Sequence, residues 1–566
     1  MKTHLTLATA LLSLAVSGGG AALAQSPALA SSSITDAEIA TAAGAPLFQG
    51  MGAYKRKIST RSEAANRYFN QGMVLAFGFN HAESIRSFRA AQRLDPECAM
   101  CFWGEALATG PNINVTSKGK AVMSDAERKS AFAAINRALA LKDGATPLEQ
   151  ALIEAQAKRY NGDPGTDRAP LDEAYAEAME KVVATYPEDD DAAAIYSEAL
   201  MNTMPWNYWS ADGTPKPETE KVIATLERII SRSPEHPLAL HLYIHAVEAS
   251  TNPGRAEDEA DRLANLVPGS GHLVHMPAHI YWRVGRYDDA ASANVRAAAV
   301  DEEYIAACNA QGFYPALYYP HNIHFLWAAT SMAGQSKMAI EAGRKVAANV
   351  RLEQIEQFPT VEFFKTIPLL TLTQFARWPD ILAEPAPPAN LDYSNAIWHY
   401  ARGIALANTG DMAGAQAERA KLAAVKDSVQ IRFLDNADYP ASVLLNIADD
   451  LLQGEMALQS DKPDLAVSHF EQAVAKQDAL PYTEPPFWYY PTRQSLGQAL
   501  LVAGRPVEAE AVYRKDLQDY PRNGWSMSGL ATALEQQGKD DEAAAARKAL
   551  AVIWSKADVK INGSRL

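Results

Sequence analysis

Apolar positions recur three and four residues apart along most of this 566-residue chain, the rhythm of helices that each bury one face. The rhythm breaks at regular intervals. Near the C-terminus it reads Leu496-Gly497-Gln498-Ala499-Leu500, then Gly504-Arg505, Ala509, Tyr513 and Pro521. The next stretch follows as Gly529-Leu530-Ala531, Gly538-Lys539 and Ala543. Near the N-terminus, Gly72, Phe79-Asn80, Phe88, Ala91 and Pro96 keep the same order. Each unit is a helix, a short turn, a second helix and a proline, which cannot continue the hydrogen-bond ladder. The alternation that marks strands is absent from the sequence. One helix pair cannot cover its own apolar face, so the pairs must stack into a continuous core.

These units resemble the tetratricopeptide repeat, a helix-turn-helix of about 34 residues. Clear units fall at 64–96, 238–268, 272–302, 321–352, 394–425, 448–478, 490–521 and 525–556, with degenerate or expanded ones in 99–234 and 360–382. The resemblance implies an all-α, right-handed α-solenoid of about ten to twelve helix pairs. Three stretches depart from the repeat and look like material added around a site: Gly110-Pro-Asn-Ile-Asn114, Trp206-Asn-Tyr-Trp209 and Tyr318-Tyr319-Pro320. Ser124-Asp-Ala-Glu127 is a capping box that starts a helix inside an expanded repeat. The run Glu384-Pro-Ala-Pro-Pro388 divides the array into a solenoid over 53–382 and a second over 391–558.

Charge removes one class of function. With Lys+Arg 52 against Asp+Glu 67 the net charge is -15, unsuited to a phosphate backbone, so nucleic acid is not an expected partner. Residues 1–24 read as a secretory signal peptide: Lys2, an apolar run from Leu5 to Val16, and a small-residue cleavage site at Ala22-Leu23-Ala24. Residues 25–52, rich in Ala and Ser, read as a flexible segment. No later run is apolar enough for a membrane span. The expectation is an exported protein, periplasmic in a Gram-negative cell. Cys98-Ala-Met-Cys101 lacks the histidine a c-type haem needs, since Phe102 follows it. In an oxidising compartment it reads as a disulfide, ahead of a redox or metal role. Cys308 reads as a small buried apolar residue.

The candidate chemistry is in the histidines. Seven of the twelve lie between positions 241 and 324, as His241-x3-His245, His272-x2-His275-x3-His279 and His321-x2-His324. Spacings of three and four share a helix face. Counted back from the small residues Ala256, Ala290 and Ala339, His241, His275 and His324 each lie 15 before; His245 and His279 lie 11 before; His272 and His321 lie 18 before. The repeat resemblance implies that these slots line the concave groove. Pairing slots gives one group of His241, His245 and His279 and another of His272, His321 and His324, with His275 between; a single ion with four or more of these ligands is the other arrangement the spacing allows. Pro277 falls inside the middle stripe and threatens its helical register.

Imidazole suits copper, zinc, nickel and iron, and copper heads the affinity order, so a divalent transition metal, copper or zinc, is the expected cofactor. The other readings are an imidazole- and aromatic-lined pocket for an organic ligand, and plain packing. Glu248, one turn beyond His245, is a candidate ligand, base or orienting carboxylate, as is Glu198. Trp282 and Arg283 are the candidate ligand-facing residues nearby. No nucleophile motif or phosphate loop is present. Two functions therefore stand: an exported solenoid metalloprotein that stores, traffics or uses its metal, or a scaffold whose groove takes a protein or peptide.

Overall fold

The computed structural model describes residues 35–566 except 118, 119, 211, 309 and 311. The expected signal peptide lies outside the described residues. The chain is an all-α solenoid. Its helices form twelve successive pairs, from Glu63–Phe77 with His81–Leu94 to Gly524–Gln536 with Asp540–Ile553. A two-residue ladder, Thr116–Ser117 with Lys120–Ala121, is the β-structure paired among the described residues, besides a single bridge between Trp209 and Pro215.

Small residues set the spacing within and between pairs. A Cβ added at Gly72 or Gly104 would meet the Phe88 ring at 2.8 or 2.3 Å, so one phenyl group fills the notch that two glycines open. Tyr513 fills the same notch between Gly497 and Gly529. The anchor alanines Ala256, Ala290 and Ala339 are each fully buried, and each is the fourth residue of its element, in Pro253–Ala256, Tyr287–Cys308 and Ser336–Asn349. The repeat register read from the sequence is therefore the register of the fold.

The segment expected to be flexible is packed where it is described. Thr35 caps the helix Asp36–Ala43, and Gly269 N–H donates to Gly50 O at 2.8 Å. Gly50 (φ 74) and Gly52 (φ 72) leave no room for a side chain, since a Cβ there would lie 2.9 Å from Gly269 N and 2.7 Å from Leu266 O. Cys98 and Cys101 form a disulfide, with Cys98 capping the helix Ala99–Thr109. Cys308 is half-buried rather than a core residue.

The two halves of the array do not lie apart. Trp525 Nε1 donates to Ser331 O at 3.0 Å, and Asp558 accepts from the backbone of Ser336 and Lys337. The C-terminal repeats thus close back on the helix Tyr319–Met332. The connection between Pro463–Asp478 and Arg493–Val502 runs across the concave side as a strap, carrying Tyr482 and Glu484 to the histidines.

Candidate metal centre

Three first helices of consecutive pairs carry the stripes: Pro237–Glu248, Gly271–His275 continuing as Pro277–Arg283, and Tyr319–Met332. Pro277 does not divert the middle one. Met276 keeps helical dihedrals (φ -49, ψ -38), and the proline takes the first position of a new turn, where a missing N–H costs least. His272, His275 and His279 therefore stay on the groove side, all buried.

The imidazoles converge as two triads, and a third group that could hold an ion, His245, Glu248 and His279, bridges them. In the first, one ring nitrogen each from His241, His245 and His272 lie within 4.8 Å of one another; in the second the same holds for His275, His279 and His321. Within the second, His275 Nε2 lies 2.8 Å from His279 Nε2 and 3.1 Å from His321 Nε2. The triads adjoin, with ring centroids 5.3 Å apart for His245 and His279 and 5.8 Å for His272 and His275.

Acceptors behind the rings fix which nitrogens face inward. His241 Nδ1–H donates to Phe77 O at 2.6 Å. His275 Nδ1–H donates to Asn294 Oδ1 at 2.7 Å; the Asn294 amide is oriented by its own N–H bond to Ala290 O. His245 and His279 each direct Nδ1–H to one oxygen of Glu248, both at 2.6 Å. A backbone carbonyl can only accept, so the His241 tautomer follows, and the carboxylate and oriented amide set the others the same way. The Nε2 atoms are left as bare lone pairs. Those of His241 and His245, and both ring nitrogens of His272, are buried without a hydrogen-bond partner among the described residues.

Burial opposes protonation of most of these rings. Burial, with the neighbouring imidazoles adding to it, holds His241, His272, His275 and His321 well below the usual histidine range. Burial also lowers His245, against the opposing pull of Glu248. Burial would push the Glu248 carboxyl up, but the imidazoles of His279 and His245 outweigh it and keep the group ionised. Glu484 lies the other way: burial, then the charge on Glu248, raises it well above the usual carboxyl range. The Tyr482 hydroxyl donates to Glu248 Oε2 at 3.1 Å and touches the Glu484 carboxyl.

The equal-slot grouping is corrected by these bonds. Glu248 draws the Nδ1 edges of His245 and His279 to itself and so turns their Nε2 edges apart, toward His241 and His272 on one side and His275 on the other. His275 is thus a full member of the second triad. His324 is in neither. It stacks on Trp327 at 5.0 Å and meets the Phe363 and Phe364 rings at 5.2 and 5.5 Å.

The other candidates take supporting places. Glu248 has both oxygens engaged by imidazole N–H groups, the position of an orienting carboxylate. Arg283 donates to Glu248 O at 2.9 Å and lies 5.3 Å over the Tyr482 ring, so it holds the strap. Trp282 packs edge-on against Tyr287 and Phe325, and Phe325 in turn lies 5.1 Å from both His275 and His279. Glu198 belongs to neither triad; burial pushes its carboxyl up to about 7.

Sequence reasoning missed Phe79, Asn294, Tyr482 and Glu484. Phe79 is buried at φ 55, and its ring lies 4.6, 5.3 and 6.4 Å from His241, His272 and His245. Trp206, at φ 62, lies 5.2 Å from His245. Bulky aromatics in left-handed backbone carry about 1–3 kcal/mol of strain, and such residues gather at functional sites. The insertion holding Trp206 gave a signal; Phe79, in an ordinary repeat turn, gave none.

No protein-family model and no curated protein matches the chain. Solved structures of similar architecture include human IFIT1 in a dimer with m7Gppp-AAAA (13% identity, TM-score 0.32, 92% of this chain and 96% of that one). They also include yeast Tom70 (10%, 0.28, 86% and 92%) and the TPR domain of P58(IPK) (10%, 0.23, 88% and 99%). The solenoid rests on the chain's own helix pairs, which place these six imidazoles in two adjoining triads.

Proposed function

We propose that the protein is a metalloprotein holding two adjacent transition-metal ions, one on His241, His245 and His272 and one on His275, His279 and His321. The observation that carries this is the convergence of six imidazoles, four of them held from behind by acceptors on Nδ1 so that Nε2 faces inward. Two such nitrogens at 2.8 Å repel unless a proton or a metal ion lies between them. Tetrahedral ligands at 2.0–2.1 Å from an ion sit about 3.3 Å apart, so the His275 and His279 nitrogens would part by about half an ångström to seat one.

Six neutral imidazoles and no thiolate favour copper, with zinc the next choice. Three protein ligands per ion leave a coordination position open, the pattern of catalytic rather than storage sites. Glu248 supplies one negative charge against two buried ions and orients a ring of each triad. The alternative, a protein- or peptide-binding scaffold, draws support from the solenoid architecture; against it, the strap carrying Tyr482 and Glu484 occupies the histidine-lined part of the groove. We further propose export, from the signal-like residues 1–24; N-terminal sequencing of mature protein beginning at Gln25 tests it.

Elemental analysis of protein purified from its own host tests the metal reading. Two ions per chain, and a melting temperature that falls on chelation, are the expected results. No bound metal, with Cu(II) and Zn(II) neither binding nor raising the melting temperature, returns the protein to the scaffold reading.

A further inference from the structure

The second triad opens on a cavity. His321 lines a space of about 140 Å³ whose walls include Trp327, Phe363, Phe364, Tyr439 and Phe487. Phe363 and Tyr439 lie nearly parallel, 5.4 Å apart at 14°. His324, left out of both triads, also lines this space, stacked on Trp327 at 12°. An apolar void of about 150 Å³ is the size that accepts benzene in another protein, whereas drug-sized ligands need about 300 Å³ or more. The space therefore suits one six-membered ring.

Its polar end is specific. Glu484 lines the cavity, is 8% exposed, and its Oε2 is buried with no hydrogen-bond partner among the described residues. An unpaired buried oxygen costs about 1–3 kcal/mol, which a ligand hydroxyl would recover once a turn of the carboxyl brings that oxygen to the cavity. Other polar groups on the wall are Thr366, Thr483 and Tyr393; the Tyr393 hydroxyl already accepts from Tyr439 at 3.0 Å.

We propose that this cavity binds a monocyclic phenol, its ring against the aromatic walls and its hydroxyl on Glu484 beside His321. Ring binding rests on the cavity alone. That the hydroxyl lies next to a metal ion rests on the metal reading proposed above.

The test is calorimetric titration of the full chain with phenol, toluene and cyclohexanol, before and after chelation, with metal content measured on the same samples. One phenol per chain is expected, with toluene and cyclohexanol each weaker by about tenfold, the loss of one hydrogen bond or of the ring stacking. Ile367→Phe should abolish phenol binding by filling the space and leave the metal content unchanged; Leu370→Phe is the second filling variant if the first lowers the melting temperature sharply. Glu484→Leu, which removes both acceptor oxygens, should weaken phenol but not toluene. Absence of phenol binding, or binding unchanged in both filling variants, overturns the proposal, and does so even if two metals are found. Toluene matching phenol overturns the hydroxyl contact. Phenol bound by protein that holds no metal as purified and takes up neither Cu(II) nor Zn(II) supports the cavity and overturns the metal reading instead.

Discussion

The two triads offer the same donors and differ in what closes them. The first lies under Phe79 and Trp206, both in left-handed backbone, with the His241 ring tied to a backbone carbonyl. The second lies against Phe325 and opens past His321 into the aromatic cavity. On the two-ion proposal, identical ligands with unequal access would separate two roles: one ion enclosed, the other placed where a small molecule can approach. Glu248 is what they share: each of its carboxylate oxygens orients one ring, His245 in the first triad and His279 in the second.

The largest expected effect comes from removing a ligand. His241→Ala should drop the metal content from two ions per chain to one, and His321→Ala should do the same by losing the other ion. Each variant should stay folded, because neither ring is packed as a repeat anchor. Plasma mass spectrometry gives the counts and circular dichroism the fold; loss of both ions in either variant would break the independence of the triads.

Glu248→Gln should act on both sites at once. An amide has one acceptor oxygen for two Nδ1–H groups, and losing such an orienting partner costs about 10–100-fold in metal affinity. Competition with a chelator of known affinity measures it. If only one ion is weakened, the carboxylate is not shared in the way its two 2.6 Å bonds indicate.

Acid should destabilise the metal-free protein. Burial pushes His324 down to about 3 and His81 to about 4, whereas unfolded histidine titrates near 6.5. Between those values the unfolded chain binds more protons, so stability is full above about pH 6.5 and falls as pH drops toward 4 or 3. His324 alone should cost about 2 kcal/mol between pH 7 and 5, read as a shift in urea midpoint. Metal-loaded protein should lose its ions over the same fall in pH, since protonated imidazole is no ligand.

Smaller effects sharpen the contrast in access. A chelator should strip the second ion before the first. Trp206→Ala, at a ring that is 38% exposed, should speed loss of the first ion with little change in melting temperature. His324→Ala should leave the metal count at two.

Much of this was legible in the sequence. The period of the apolar pattern and the small residues at Gly72, Ala290 and Ala339 carry the repeat, because close helix approach demands them wherever it occurs. The shared face of the histidines follows from spacing; that this face lines the groove is what the repeat resemblance implies. Their partition follows from neither, because it depends on where Glu248 directs the Nδ1 edges, and a ring's rotation is not a property of its slot. Tyr482 and Glu484 lie more than 150 residues from His324 in sequence, on a strap whose path over the groove depends on the C-terminal repeats folding back. The aromatic and proline run after Pro481 marks that strap as unusual, yet its destination is a tertiary fact.

The most direct test of the two-ion account is anomalous diffraction from crystals of metal-loaded protein at the absorption edge of the bound metal. The account predicts two peaks, one inside each triad, each about 2.0–2.1 Å from three imidazole nitrogens, with Glu248 outside both coordination spheres. A single peak, peaks ligated by Glu248 or His324, or no peak among these helices would contradict it.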